Sequence, residues 1–495
     1  MRRPLMGLAA ATAFTLGGCN LDVTNPNSPS PLGALENPRD AIIRQVVGVF
    51  ATYRANRAEQ IRDLGSYGRE TYYMFITDGR WITGPYRDWR QNNAFTAGSQ
   101  WAVRYANYRN AYQTIKTINA TPTSPEGTPT ALTAGEKVGA FGVLKTFIAL
   151  EMLHVIEARG AIGAVVDMTD DINAVLPMVS EDSVYAWISA KLDEAKADLD
   201  TPGAAFFFPM HSGFSAFGVT ANTPATFSQL NRALKARVEA KRGSLGCGAP
   251  CYTTALTALG GTWVADLTAA NRDQGVYVIY TSAAGDVLNT ISFAQNKDVF
   301  VHPLIDSIPG VAQDDRYRRK VDTHEIAASE DDACTSTYKV RTEVGVIGTN
   351  RPCTYATNIT AIPIIRNEEL VLIRAEARWY TGDQVGAAAD LAAVRTNSGA
   401  TRGGTAAVKF ASPATDPEFV DELLLQRTLS LFQEGHRFPD YRRFGRLAEL
   451  GTLSQDVTAG FTVATYSVLP SQECDSRARA GNPGGVPRSC PGGPP

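Results

Sequence analysis

The 495-residue sequence lacks the patterns on which several common functions depend. Its five histidines are scattered, and no His-Glu-x-x-His, Gly-x-Ser-x-Gly or phosphate-cradling glycine loop occurs. Lys and Arg form no long basic run, and the formal net charge is −3. The sequence therefore gives no positive case for an enzyme, a cofactor or a metal site, and it disfavours a nucleic-acid partner.

The first residues have the composition of an export signal. Arg2 and Arg3 precede an apolar stretch, 5–16, that is too short to span a bilayer as a folded helix, and two glycines stand directly before Cys19. This ending resembles a lipobox, in which the thiol is acylated and the cysteine becomes the new N-terminus. We expect a signal peptide over 1–18 and a lipid such as palmitate on Cys19. The alternative is an ordinary signal peptide cut nearby, with Cys19 a chance thiol.

The segment after Cys19 has the composition of a flexible tether. Residues 19–31 are rich in Pro, Asn and Ser and contain few large apolar side chains, so they cannot bury enough surface to fold. No later segment has the uninterrupted apolar length of a transmembrane helix. We expect the body to contact the membrane through its lipid alone.

Six cysteines remain after Cys19, and they fall into near neighbours along the chain. An even count in an exported protein indicates disulfides, and we predict local pairs, although six cysteines allow many connectivities. A zinc site at Cys247 and Cys251 is the competing interpretation, but no histidine lies near and no second pair has ligand spacing. The predicted disulfides are Cys247–Cys251, Cys334–Cys353 and Cys474–Cys490.

Apolar residues at helical spacing predict a mainly α fold. Thr133 and Glu136 form a capping box before one helix, and Ser180 precedes a second. A helical hairpin covers 368–397, with Asp383 as the cap of its second helix. A further helix opens with Asp416 as its cap and Pro417 in its first turn, and closes at Gly435. Paired helices of this size resemble tetratricopeptide units, although no strict repeat period is present. The stretches 76–98, 202–224 and 275–355 are irregular.

Several segments, in order, resemble the SusD/RagB outer-membrane nutrient-binding lipoproteins. The strongest is 362–377, with its Ala-Glu-Ala core, leading into 388–399; the next is 434–443, which is similar to the near-C-terminal Glu-Gly-x-Arg-x-x-Asp signature. Weaker similarities are 101–119, 314–316 and 230–243. Two departures are Gln426-Arg427-Thr428, where the family often has Glu-Arg, and the cysteine pairs.

The resemblance implies tetratricopeptide-like helix pairs that scaffold a loop-rich second half. It assigns 32–470 to a SusD-like nutrient-binding domain, followed by a Gly/Pro-rich tail, 471–495. It implies that the protein is no enzyme and that it captures oligosaccharides, or in some relatives peptides. The implied partner is a SusC-like TonB-dependent transporter, over which the lipoprotein closes as a lid. The implied location is the outer membrane, lipid-anchored and facing the cell exterior.

The stretch 72–93 supplies the side chains that sugar binding needs, which are flat aromatic faces together with amides and charged groups. The alternative is that its tryptophans pack the loop against helices while its charges are solvated. The predicted ligand contacts are Tyr73, Asp78, Arg80, Trp81, Tyr86, Trp89 and Asn92.

The segment 434–443 places Glu434, His436 and Asp440 close together in sequence, which suggests a catalytic constellation. Sequence proximity does not establish convergence in a pocket. We therefore interpret the segment as structural, with acids and bases pairing where a helix ends. Two functions compete with the nutrient-binding lid: a structural lipoprotein that organises an envelope assembly, and a surface hydrolase whose site the sequence does not display.

Overall fold

The computed structural model describes residues 37–91, 100–322, 334 and 340–494. Cys19, the predicted signal peptide and the predicted tether lie outside these residues. In chain order the α-helices are α1 (Pro38–Ala55), α2 (Arg57–Tyr67), α3 (Arg80–Tyr86), α4 (Ala102–Ala120), α5 (Ala134–Arg159), α6 (Glu181–Leu199), α7 (Pro224–Arg242), α8 (Ala249–Leu259), α9 (Pro303–Asp306), α10 (Asp315–Lys320), α11 (Asn367–Tyr380), α12 (Gln384–Val394), α13 (Asp416–Ser430), α14 (Arg437–Arg443), α15 (Ser454–Thr458) and α16 (Ser471–Arg479).

The strands within these ranges are short and pair as antiparallel ribbons. They are β1 (Thr71–Tyr73), β2 (Gly275–Val278), β3 (Val299–Val301), β4 (Val321–Asp322), β5 (Arg341–Glu343), β6 (Val346–Gly348), β7 (Arg351–Pro352) and β8 (Ile362–Arg366). The pairs are β1 with β3, β2 with β8, β4 with β7, and β5 with β6. Helices dominate, so the predicted mainly α fold is confirmed.

Helices adjacent in the sequence also pack against each other. The succession runs α4 on α5, α5 on α6, α6 on α7 and α7 on α8, and α11 then packs on α8 and pairs with α12. One hydrophobic cluster runs through α1, α4 to α8, β2, β8 and α11. The ribbons and the shorter helices lie against this scaffold as a loop-rich second half.

Helix α5 is the apolar centre of the scaffold. Its length and composition alone, continued to Ile162, would allow it to cross a membrane. In the structure it contacts α1, α4, α6 and α7, and most of its side chains are buried. It is a core helix of the body.

The predicted helix starts at Thr133, Ser180 and Asp383 are confirmed. Thr133 Oγ1 accepts from Glu136 N at 3.1 Å while Thr133 N donates to Glu136 Oε2 at 2.9 Å, which completes the capping box. The Ser180 side chain caps α6, and Asp383 Oδ1 accepts from Gly386 N at 2.9 Å at the start of α12. Short-range hydrogen bonds of this kind can be predicted because they depend on nearby residues.

The bounds predicted for α13 were wrong at both ends. Its cap is Thr415, whose side chain accepts from Glu418 N, and the helix ends at Ser430 rather than at Gly435. Lys320 Nζ and Arg366 Nη2 each donate to Ser430 O at 2.5 Å. Both cations come from distant parts of the sequence, and they satisfy the carbonyl group at the end of the helix.

The three predicted disulfides are present, which excludes the zinc alternative at Cys247 and Cys251. Their Cα–Cα distances are 5.8 Å for Cys247–Cys251, 6.1 Å for Cys334–Cys353 and 5.4 Å for Cys474–Cys490. Cys474 and Cys490 belong to the main hydrophobic cluster, and part of the predicted Gly/Pro-rich tail forms α16. The tail is therefore packed onto the body.

The disulfides close loops of different length, so their removal should destabilise the fold unequally. Cys474 and Cys490 are 16 residues apart, and Cys247 and Cys251 are 4 apart. Loop-closure entropy predicts losses of about 3 kcal/mol for Cys474→Ser/Cys490→Ser and about 2 kcal/mol for Cys247→Ser/Cys251→Ser. Urea denaturation of both variants beside the wild type measures these losses, and the reverse order would contradict the prediction.

Candidate functional site

An aromatic pair forms where β1 leads into α3. Alternation along β1 buries Tyr72 and leaves the Tyr73 ring half-buried on the opposite side. The chain then turns, with Asp78 N donating to Phe75 O at 3.0 Å, and α3 begins at Arg80, which puts Trp81 in its first turn. The Tyr73 and Trp81 ring centroids lie 5.2 Å apart in an edge-to-face arrangement.

Arg62 of α2 holds the two rings in place. Its guanidinium carbon lies 5.0 Å from the Tyr73 ring centroid and 4.9 Å from that of Trp81, and Nη2 pairs with Asp63 Oδ1 at 3.0 Å. Burial raises the pKa of Tyr73, so the phenol stays neutral. The rings are preorganised by cation–π contacts and offer a half-exposed apolar surface.

Asp78 and Arg80 add hydrogen-bonding groups at the edge of this surface. Arg80 Nη2 lies 2.7 Å from Asp78 Oδ2, and the Arg80 side chain is 69% exposed. The hydrogen bond from Arg80 lowers the pKa of Asp78, which is therefore a carboxylate at neutral pH. We name the set Tyr73, Asp78, Arg80 and Trp81 the aromatic surface; its chemistry suits sugar rings and their hydroxyl groups.

A hydrophobic cluster fixes the aromatic surface from below. Its buried members come from β1, α3, β3, β6 and the segment after α15, so the hairpin β5–β6 and the turn at Asp78 share one base. They are Tyr72, Met74, Ile82, Tyr86, Phe300, Val346 and Phe461.

Two of the predicted ligand contacts lie in the interior. Tyr86 is fully buried: its hydroxyl donates to Thr71 O at 2.7 Å, and the Arg69 guanidinium carbon lies 3.7 Å from its ring centroid. Trp89 is 4% exposed, and its Nε1 donates to Thr462 Oγ1 at 3.0 Å. Both side chains pack the loop against the body, which is the alternative that the sequence analysis gives for the tryptophans. We do not include them in the aromatic surface.

Asn92, the last predicted contact, lies outside the described residues. The hairpin β5–β6, which sequence reasoning missed, lies beside the turn at Asp78: a Cβ on Gly79 would meet Val344 Cγ2 at 3.4 Å. The available signal is the Val344-Gly345 turn between alternating residues, which lies within the stretch 275–355 of otherwise irregular sequence.

A groove of about 810 Å³ lies elsewhere, between α4, the segment 165–176 and α16. Its wall includes Trp101 and Tyr105, but both are occupied by the protein itself. Trp101 is 5% exposed and its Nε1 donates to Glu473 Oε2 at 3.2 Å, while the Tyr105 hydroxyl donates to Val165 O at 2.9 Å. The groove is lined by small, aliphatic and charged side chains, Met168, Ile172 and Leu176 among them, and its tryptophan is buried. Sequence reasoning could not find it because α16 meets α4 from the far end of the chain.

The segment 434–443 is a buried network of ion pairs, as the structural interpretation predicts. Arg366 Nη2 lies 2.8 Å from Glu434 Oε1, and Asp440 lies between Arg427 at 2.6 Å and Arg443 at 2.9 Å. The two guanidiniums hold the pKa of Asp440 well below its usual range. These side chains are buried, so they are not open to a substrate.

His436 is neutral within this network. Its Nε2 lies 3.8 Å from Glu369 Oε2, too far for a hydrogen bond, and burial lowers its pKa to about 3. Among the described residues, no cluster of three or more His, Cys, Asp or Glu side chains could hold a metal ion.

Known proteins share part of this sequence pattern and most of this fold. Residues 314–474 match the sequence model of the SusD family. A laminarin binding SusD-like protein superimposes with a TM-score of 0.59 and 15% identity, over 88% of this chain and 97% of its own. A SusD superfamily protein from Bacteroides vulgatus ATCC 8482 has a TM-score of 0.61 and 13% identity, over 88% of this chain and 96% of its own. B. fragilis NanU has a TM-score of 0.55 and 15% identity, over 86% of this chain and 91% of its own.

At these identities the solved structures show a shared fold. No curated protein matches the sequence. Residues 314–474 thus match the SusD family model, and most of the chain has the fold of SusD-like proteins.

The buried histidines make the fold sensitive to acid. Burial lowers the pKa of His302 to about 4 and that of His436 to about 3, whereas an unfolded histidine titrates near 6.5. The unfolded chain therefore takes up these protons first, and stability present above about pH 6.5 is lost as the pH falls toward 4. We expect the free energy of unfolding to fall by about 1.4 kcal/mol per pH unit for each histidine.

Urea denaturation between pH 7.5 and pH 4 measures this slope. His436→Gln removes one of the titrating groups, so its slope should be shallower than that of the wild type. Equal slopes would show that His436 does not contribute to the acid sensitivity.

Proposed function

We propose that this protein is a cell-surface lipoprotein that captures oligosaccharides and delivers them to a TonB-dependent outer-membrane transporter as its lid. The observation that carries the proposal is the aromatic surface. Tyr73 and Trp81 are held edge-to-face by Arg62, and Asp78 and Arg80 stand at the rim. Rigid aromatic carbon next to exposed charged groups is the arrangement that binds the apolar face and the hydroxyl groups of a sugar.

The relatives support binding rather than catalysis. One neighbour in fold is named for laminarin binding, and the match to the SusD family model covers the segment that contains the buried network around Asp440. That network uses its acids and bases to hold α11, α13 and α14 together, which leaves them no role as exposed catalytic groups.

The aromatic surface is a better sugar site than the groove beside α4. A sugar ring needs an accessible aromatic side chain, and Trp101 in the groove is 5% exposed whereas Trp81 is half-buried. The groove therefore provides a control location for the binding experiment.

Titration of the protein against a glycan panel tests the site. Trp81→Ala should weaken binding of the recognised glycan about tenfold or more, because one ring face of stacking is lost. Ala106→Trp places a large ring in the groove on an exposed position of α4 and should leave affinity unchanged. Isothermal titration calorimetry measures the dissociation constant of the glycan for each variant and for the wild type.

If Ala106→Trp weakens glycan binding and Trp81→Ala leaves it unchanged, the binding site lies in the groove instead. Failure of every glycan to bind would contradict the proposed function. Release of shortened products from any panel member would favour a hydrolase instead.

The anchor and the transporter are tested in cells. Cys19→Ala should release the protein from the membrane fraction, because the proposed lipid is its membrane attachment. Cross-linking of the intact lipoprotein should recover a large β-barrel receptor. Membrane retention of Cys19→Ala would contradict the anchor, and recovery of envelope-assembly proteins without a receptor would favour the structural-lipoprotein alternative.

A further inference from the structure

Apolar side chains border the aromatic surface on the side of the hairpin β5–β6. Ile76 in the turn before α3 is 69% exposed, Val344 at the hairpin tip is 39% exposed, and Ile347 on β6 is 44% exposed. Val344 Cγ2 would lie 3.4 Å from a Cβ on Gly79, the residue directly before α3. We name Ile76, Val344 and Ile347 the apolar lip. Single exposed hydrophobic residues are common, but these three lie on elements that pack together beside a candidate site.

The protein holds the lip in a fixed position. Val346 points into the cluster beneath the aromatic surface and is fully buried. Arg341 Nη1 donates to Met74 O at 2.6 Å, which ties β5 to the chain just after β1. On the other edge, Gln455 Nε2 donates to Ile347 O at 3.1 Å, and its Oε1 accepts from Ile347 N at 3.3 Å.

The tip residue is one that the turn does not favour. Val344 has a φ of +50° and is followed by Gly345 at +85°, the left-handed pair of a tight two-residue hairpin. Such turns favour Asn, Asp or Gly at the first position, and a β-branched side chain there is strained. Strain of this kind persists where the surrounding structure enforces it, and it concentrates at ligand sites.

We infer that the bound glycan carries an apolar substituent such as an acyl group, and that Val344 contacts this group. The inference rests on the proposed function, because it concerns the ligand of the aromatic surface. A sugar hydroxyl placed against Val344 and Ile76 would lose water without gaining a hydrogen bond. The methyl group of an acyl substituent would instead bury apolar area there, while the ring stacks on Trp81.

Matched pairs of glycans that differ in their acyl groups test the inference. Suitable pairs are chitohexaose with cellohexaose, O-acetylated xylo-oligosaccharides with the same mixture after mild alkaline de-esterification, and laminarihexaose with and without chemical O-acetylation. Wild-type protein should bind the acylated member of at least one pair about fourfold tighter or more, the gain expected from one buried methyl-sized group.

Val344→Asn is the decisive variant because it suits the turn and removes the apolar contact. We expect its melting temperature to equal or exceed that of the wild type, while the preference for the acylated member disappears. Val385→Asn is the matched control, since Val385 lies on α12 and is 85% exposed. This control should leave both affinities unchanged.

The outcomes separate this inference from the proposed function. Equal binding of both members of every recognised pair, an acyl preference that survives Val344→Asn, or binding of unacylated glycans alone would overturn the inference and leave the proposed function standing. A lower melting temperature of Val344→Asn would show that valine does not strain this turn, and it would overturn the inference that depends on that strain. Absence of binding to any glycan would contradict the proposed function itself.

Discussion

Three buried carboxylates on α11 determine how the two halves of the molecule fit together. Glu369 pairs with Arg237 of α7 at 2.6 Å, Glu376 pairs with Arg443 of α14, and Glu368 pairs with Arg366 at the end of β8. A carboxylate in this interior without its arginine would be strongly destabilising. The ion pairs therefore favour the packing of α11 in which each carboxylate meets its arginine.

Features that depend on neighbours in the chain could be predicted from the sequence. The caps at Thr133, Ser180 and Asp383 and the three disulfides are of this kind. Features that depend on distant segments could not. Trp89 is a packing residue because Thr462, 373 positions away, accepts its hydrogen bond, and α13 ends early because Lys320 and Arg366 bond its last carbonyl group. No local pattern contains that information.

The stacked helices and the short, irregular elements have different roles in this structure. The stacked helices bury the main core, while the aromatic surface and the apolar lip lie on a two-stranded ribbon, a short helix and a hairpin over a small core of their own. Side chains on such connecting elements can vary without disturbing the scaffold. A scaffold of this kind can be kept while most of the sequence changes, as in the solved structures that share this fold at 13–15% identity.

The side-chain amide of Gln455 has a consequence beyond holding β6. An unpaired strand edge is a template on which another chain can add a strand, and a hairpin with exposed apolar residues is especially open to such pairing. Gln455 bonds both backbone groups of Ile347 that face outward, as a neighbouring strand would. These backbone groups are therefore not available to a strand of another molecule, and the apolar residues beside them can stay uncovered without offering an open strand edge.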